Sequence, residues 1–345
     1  MLESICTEIM KLDFDDVLIE PRRAFTSLTR KSVDITIPWL DFHAYPIVIA
    51  NMPSTGTYQI AKHMTPMKVF TFIHKEYTAL EHVRNLGDIA THQYIAITSG
   101  VQEWDIEKTD EVLTKFPNIG MINIDIANVY ANMFGMVNTI KHYREKFPDT
   151  MICAGNVCDT SLMKELVRAG ANYIKVGVGS GAACITRTEV GVGVPQFSAV
   201  QECCEEAEKI GCKIISDGGC VTSGDVCKAI AAGAEMVMIA GMVSNTYECD
   251  NKVTIEGKQY VNLYGLGSNK MYDRTSPTEQ EYRPNEGRDL LVPTECHIED
   301  VINQILGGLR SVCTYVGVRN LTQLSDHATF IRVSKTHNRS LERYG

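Results

Sequence analysis

MICAGNVCDTSLMKELVRAGANYIKVGVG, residues 151–179, reads as strand, helix and strand in a single pass. MICAGNV (151–157) and YIKVGVG (173–179) are short and nearly continuously apolar, as strands buried on both faces of a parallel sheet are. DTSLMKELVRAGA (159–171) lies between them, starting on an Asp cap and stopping at a glycine. The alternation runs outward in both directions. PIVIAN (46–51), KVFTFIH (68–74), QYIAITS (93–99), MINIDIA (121–127), CKIISDGG (212–219) and EMVMIAG (235–241) bring the candidate strands to eight. Helical patterns include 128–147, 198–211, 222–234 and 297–317. Eight strand–helix units predict an α/β chain folded as one (β/α)8 TIM barrel. The alternative is a doubly wound open sheet. The barrel is preferred because polar residues and glycines recur at the C-terminal end of nearly every strand, where barrel sites collect.

Three segments fall outside a minimal barrel. They are an N-terminal arm (1–45), an insertion after the last strand (242–297) and a C-terminal helix with a tail (298–345). The insertion contains a predicted hairpin, KVTIEGKQYVNLYG (252–265), turning at Gly257. The polar run that follows it reads as an active-site lid, because long irregular loops inside compact domains are usually functional. The basic ending FIRVSKTHNRSLERYG (330–345) reads as a solvated tail or an oligomer contact.

The net charge of −9 argues against nucleic acid as a partner, which needs a basic face. No apolar run reaches the roughly 18–20 residues of a membrane helix, so no membrane partner is expected. The opening residues lack the apolar core of a secretory signal. The twelve cysteines show no pairing-like spacing and no CxxC, which points to a reducing cytoplasm and away from zinc ribbons. Most of these thiols read as small buried hydrophobes.

Cys184 is different. It sits in GVGSGAACITRTEVGVGVPQ (177–196), where five glycines surround it and no apolar periodicity explains it. A thiol is nucleophilic as thiolate, which needs a nearby base or positive charge. Thr186 offers a hydroxyl able to pass protons, and Arg187 offers charge. The glycine-rich turn also frees backbone carbonyls suited to a monovalent cation. GVGSGA mimics a dinucleotide fingerprint, but it falls in the sixth strand and continues into a long loop, so that reading is set aside. Better phosphate signals are ISDGGC (215–220) and IAGM (239–242), at the strand-7 and strand-8 positions where barrels bind phosphate. There Gly218, Gly219 and Gly241 expose N–H groups, and Asp217 is placed to bond a ribose hydroxyl. Tight turns alone would also explain those glycines. Other strand-end candidates are His74 with Lys75, Asp125 with Asn128, Asn156, and the lid carboxylate Glu286. Asp125 could instead be a helix N-cap, and His74 a satisfied core histidine.

The same loop resembles the GPGSxCTTRxxTGVGxPQ loop of the IMP dehydrogenase and GMP reductase family. So do KLDFDDVLIEPRR, IANMPSTGT, FIHKEY, IDIAN, AGNV, ISDGGC, YGLGS, EYRPNEG and ILGGLRSVCTYVG, across nearly the whole chain. Within the family the chain looks like a reductase: EYRPNEG and LRSVCTYVG match, no Arg-Tyr pair marks the lid, and the length leaves no room for CBS modules. The resemblance implies NADPH-dependent reductive deamination of GMP to IMP and ammonia in purine metabolism. It implies that Cys184 attacks purine C2 to give a thioimidate, with Thr186 and Glu286 as proton relay. It implies NADPH contacts at Lys75, Asp125, Ile126, Ala127, Val178, Gly179, Leu266, Tyr282 and Arg283. Further NADPH contacts at Thr29, Arg30, Ser311, Val312, Cys313 and Thr314 would be completed across a homotetramer boundary. GMP is implied on Asp217, Gly218, Gly219, Ala240, Gly241, Gly265, Leu266, Gly267, Arg283, Pro284, Asn285, Glu286 and Gly287. A potassium ion is implied at Gly179, Gly181, Cys184 and Arg187.

The chain departs from the family pattern at Ser180-Gly181-Ala182, at Ile185 and at Ala240. Ala182 removes a hydroxyl that touches substrate phosphate in the family, a loss of about 0.5–1.5 kcal/mol. The alternatives are an IMP dehydrogenase without CBS modules, a flavin-dependent barrel, and a nucleotide-binding homologue with altered purine specificity or lost turnover.

Overall fold

The computed structural model describes residues 10–23, 27–265, 267–270 and 284–334. Its centre is a closed parallel barrel. The strands are β1 (Ile47–Ile49), β2 (Phe70–Ile73), β3 (Ile95–Ser99), β4 (Met121–Asp125), β5 (Met151–Val157), β6 (Tyr173–Val176), β7 (Lys213–Asp217) and β8 (Met236–Ile239). Each lies inside a segment predicted as a strand. β8 pairs back onto β1 through Val237 and Ile47, which closes the ring and excludes the open sheet. Eight helices follow the strands in turn: α1 (Tyr58–Met64), α2 (Ala79–Gly87), α3 (Glu103–Lys115), α4 (Met133–Lys146), α5 (Thr160–Ala169), α6 (Gln196–Ile210), α7 (Ser223–Ala231) and α8 (Ile298–Val316).

Side chains alternate across each strand, and that parity builds two cores. Ile47 and Ile49 face the helices while Val48 faces the barrel interior; Ile95 and Ile97 face out while Ala96 faces in. The interior is apolar at the bottom, where Phe70, Tyr94 and Tyr173 meet Trp39. Trp39 comes from an arm hairpin of Ile37–Trp39 and Phe42–Ala44. Its ring stands 4.6 Å from Phe70 and its indole N–H donates to Gln93 O at 3.0 Å. The arm therefore plugs the N-terminal end of the barrel.

Local signals place the helix ends. Asp159 caps α5 by accepting from Ser161 and Leu162, and Gly170 closes it at φ 119°. The helix predicted from residue 128 starts at Met133 instead, because Asn132 caps it by accepting from Gly135. Asp125 is thus no helix cap. The insertion carries the expected hairpin, Lys252–Ile255 and Lys258–Leu263, with Glu256 and Gly257 both at positive φ in its turn. A third strand, Leu290–Pro293, pairs with it and was not anticipated.

The chain enters and leaves this insertion side by side, where Thr246 bridges Cys296. Glu248 holds that neck, accepting from His297 Nδ1 at 2.7 Å and from Ile298 N at 2.9 Å. His63 and Glu299 form a second pair beside it, at 2.6 Å. The basic ending needs correction in its first residues. Phe330–Arg332 pairs antiparallel with Val17–Ile19, and Phe330 packs on Phe197; residues 335–345 lie outside the described residues. No helix among the described residues is long and apolar enough to cross a membrane.

Candidate active site

The loop after β6 carries Cys184 into a short helical turn, Thr186–Glu189. Thr186 Oγ1 donates to Glu286 Oε2 at 2.7 Å and lies 3.1 Å from Cys184 Sγ. With that hydroxyl hydrogen given to the carboxylate, the thiol is the donor to Thr186. The result is a directed path from sulfur to hydroxyl to carboxylate. The backbone holds it in place. Cys184 bridges Gly287, Ile185 N donates to Glu286 O at 2.8 Å, and Arg288 N donates to Ala183 O at 2.8 Å. Glu286 N donates in turn to Gly267 O at 3.0 Å. Three distant segments are thereby zipped into one edge.

Among the described residues eleven cysteines are free thiols. Burial pushes the other ten up, Cys249 to about 11 and Cys203, Cys227 and Cys313 to about 12. Those thiols stay protonated at neutral pH. Cys184 is partly exposed and has a proton acceptor in contact.

The loops after β6, β7 and β8 converge beside it. Gly218 and Gly219 adopt φ of 84° and 80°, a conformation costly to residues with a Cβ. A Cβ on Gly218 would stand 2.9 Å from Gly181 N, and one on Gly241 would stand 2.9 Å from the Ala182 methyl. Ser180 Oγ donates to Asp217 O at 2.9 Å, so this hydroxyl braces the β7 turn. Gln196 Nε2 bridges Val176 O and Asp217 O at 2.7 and 3.2 Å. Asp217 Oδ2 accepts from Asn156 Nδ2 at 2.8 Å. Burial pushes the Asp217 carboxyl up from its ordinary value, against the opposing pull of Lys175 and Asn156.

On the far side of the barrel mouth, Asp125 accepts from Asn51 Nδ2 at 2.8 Å and pairs with the fully buried Lys175. Ile126 and Ala127 follow on the rim, and the Lys75 carbonyl accepts from Lys108. His74 is half-buried and stacks on Tyr77 at 4.4 Å.

Arg187 requires a correction. Its guanidinium donates to Asp13 Oδ2 at 2.8 Å and to Val194 O at 2.6 Å, so its charge is committed to the arm rather than offered to the thiol. Gly179 and Gly193 make room for its stem. Thr29, Arg30, Ser311, Val312, Cys313 and Thr314 also group together, with Arg30 Nε donating to Ser311 Oγ at 2.9 Å. They sit by the last turns of α8. Helices run back down a barrel, so this is the face opposite the strand C-termini. Within one chain they do not join the Cys184 site, and the Cys313 thiol is turned into the core. Leu266, Tyr282 and Arg283 lie outside the described residues; Pro284 and Asn285 lead into Glu286, and Asn285 Oδ1 accepts from Gly287 N at 3.2 Å. Ala240 packs on the interior core, and Gly265 O accepts from Ser268. Sequence reasoning missed Lys175 and Gln196. A lysine inside the apolar run YIKV was the signal for the first.

A family model described as IMP dehydrogenase / GMP reductase domain matches residues 11–341. The chain belongs to that family. Its members include GMP reductase 1 of Mus musculus, 41% identical over 95% of this chain and 97% of the relative. GMP reductase of Yersinia enterocolitica is 38% identical over 96% and 97%. GMP reductase of Onchocerca volvulus is 38% identical over 95% and 92%. Family membership accounts for the barrel together with its arm and insertion, since the match runs through all three.

Proposed function

We propose that this chain is a GMP reductase, converting GMP, NADPH and two protons to IMP, ammonium and NADP+. The observation that carries the chemistry is the Cys184–Thr186–Glu286 path. Relatives named GMP reductase across almost the full length support the same assignment.

Cys184 Sγ adds to purine C2. Its proton passes through the Thr186 hydroxyl to Glu286, which returns it to the departing 2-amino nitrogen, since an amine leaves only when protonated. The C2–N bond breaks, leaving a thioimidate. NADPH supplies a hydride to C2, and scission of the C2–S bond then frees IMP and the thiol. Water must be kept from the thioimidate, which it would otherwise hydrolyse to XMP.

In this reading Asp217 accepts from the ribose hydroxyls. The N–H groups of Gly218, Gly219 and Gly241, with Ala240 alongside, cradle the phosphate. Gly265, Gly267, Pro284, Asn285 and Gly287 shape the purine side, with Leu266 and Arg283. NADPH lies along Lys75, Asp125, Ile126, Ala127, Val178, Gly179 and Tyr282. Thr29, Arg30, Ser311, Val312 and Thr314 serve a neighbouring subunit's cofactor in a tetramer. A potassium ion in this reading would be held by backbone carbonyls of Gly179, Gly181 and Cys184. Arg187 could contribute only through its carbonyl, because its guanidinium is itself a cation bound to Asp13. The unpaired thiols suit the cytoplasm.

The test is GMP-dependent NADPH oxidation by the purified protein, with Cys184→Ala as control. Oxidation in wild type and none in the variant is expected. Equal rates would overturn the thiol mechanism, and XMP formed from IMP and NAD would assign a dehydrogenase instead.

A further inference from the structure

Three polar side chains on three strands point into the mouth of the barrel. Parity puts them there: Asp125 shares the inward face of β4 with Met121, Lys175 that of β6 with Tyr173, and Asp217 that of β7 with Ile215. Directly below them Asn123 Nδ2 donates to Thr98 Oγ1 at 3.0 Å, and beneath that layer the interior is apolar.

The register shows how Lys175 reaches Asp125 across an intervening strand. Asp125 is opposite Gly155 on β5, and Gly155 is opposite Lys175 on β6. A Cβ on Gly155 would stand 2.8 Å from Lys175 Cβ and 2.7 Å from Lys175 O. Glycine here leaves the gap through which the lysine stem passes to the carboxylate two strands away. The ammonium is fully buried. An isolated buried ammonium is costly, whereas one between carboxylates persists.

The hydrogen bonds to both acids fall on a single oxygen of each among the described residues. Asp125 Oδ2 takes Lys175 and Asn51, and Asp217 Oδ2 takes Asn156. In the reading given above, the second oxygen of each acid meets the ligand. The groups facing Lys175 are Asp125, Asp217 and the Cys153 thiol.

We propose that Lys175 is a positioning residue that fixes the Asp125 carboxylate on the cofactor side and sets the charge beside Asp217 on the nucleotide side, with Gly155 as the vacancy that lets it reach Asp125. This rests on the reading of Asp125 and Asp217 given above. Its ammonium stays charged because the attraction of Asp125 and Asp217 outweighs the opposing effect of burial. Without it, Asp217 loses the charge that opposes its protonation, and a protonated acid accepts more weakly from a ribose diol than a carboxylate does. The nucleotide defect must therefore grow as pH falls.

The experiment compares Lys175→Met, Lys175→Arg and the charge-balanced pair Asp125→Asn with Lys175→Met. Steady-state NADPH oxidation and calorimetric GMP binding are measured from about pH 5 to about pH 8, with thermal melts to confirm folding. For Lys175→Met, KM for both ligands should rise about tenfold near neutrality, and GMP affinity should fall further on the acid side. Lys175→Arg should restore the pH profile. The double variant keeps the test alive if the single one unfolds: its NADPH KM should stay high while its acid-side GMP loss shrinks, because the like charge facing Asp217 has gone. Wild-type pH profiles and KM values in Lys175→Met, or in the double variant, would overturn the proposal while leaving GMP turnover intact. A wild-type protein that neither binds nor turns over GMP would sink the functional reading first, and this with it.

Discussion

Glu286 and Thr186 are a hundred residues apart in sequence, yet the Thr186 hydroxyl donates to the Glu286 carboxylate at 2.7 Å. The contact lets a carboxylate act on Cys184 without touching it. A hydroxyl between them keeps the negative charge away from the sulfur while still conducting its proton.

Glu286→Gln removes the proton acceptor and keeps the shape. Turnover of GMP should fall by about 10²–10⁴, the usual span for general acid–base catalysis. Calorimetric affinity for GMP should stay within about threefold of wild type, since the amide keeps the backbone zipper. Parallel losses in binding and turnover would make Glu286 a substrate contact instead of a relay.

Gly218→Ala places a methyl group on a backbone at φ 84° and 2.9 Å from Gly181 N. Strain of about 1–2 kcal/mol per left-handed residue should open the turn and raise KM for GMP about tenfold. KM for NADPH should change little. A GMP titration of the variant measures this directly.

Trp39→Ala empties the bottom of the barrel. Loss of a buried indole costs about 3–5 kcal/mol, read as a shift in the urea midpoint. Steady-state constants of the folded fraction should match wild type, because Trp39 packs on the strand starts while the site lies at their ends.

The neck of the insertion should respond to pH. The hydrogen bond to Glu248 holds the His297 imidazole above its ordinary value. Burial opposes ionisation of Glu248, but His297 and Ile298 outweigh it and hold its carboxyl below the usual range. A raised histidine stabilises below its unfolded pKa of about 6.5 and loses that stabilisation as pH rises through the folded value. A lowered carboxyl stabilises above about 4.3 and loses it as pH falls. The pair is therefore strongest at mildly acidic pH. Thermal melts of wild type and His297→Gln should differ most there and converge towards alkaline pH. Curves separated by a constant offset would show that the pair does not titrate as a unit.

The barrel was legible because its signal is local and repeated: apolar strands, Asp159 and Gly170 at the ends of one helix, polar residues at strand ends. Cys184 stood out for a similar reason, as a thiol without a packing role. What stayed hidden depends on pairing at a distance. Leu290–Pro293 is only four residues long and ends in proline, so nothing local marks it as a partner for Lys258–Leu263. Arg187 looked available because its partner, Asp13, lies in the arm. Lys175 was passed over because a lysine in a strand ordinarily points to water; its meaning depends on Asp125 and Gly155, which only the register brings beside it.

The pairing of Val17–Ile19 with Phe330–Arg332 also bears on how the protein can be handled. Trimming either terminus past these strands would unbutton the other, so a shortened form should lose both together. The exposed Glu256–Gly257 turn is by contrast joined to neither strand, so an insertion there should leave that clasp intact.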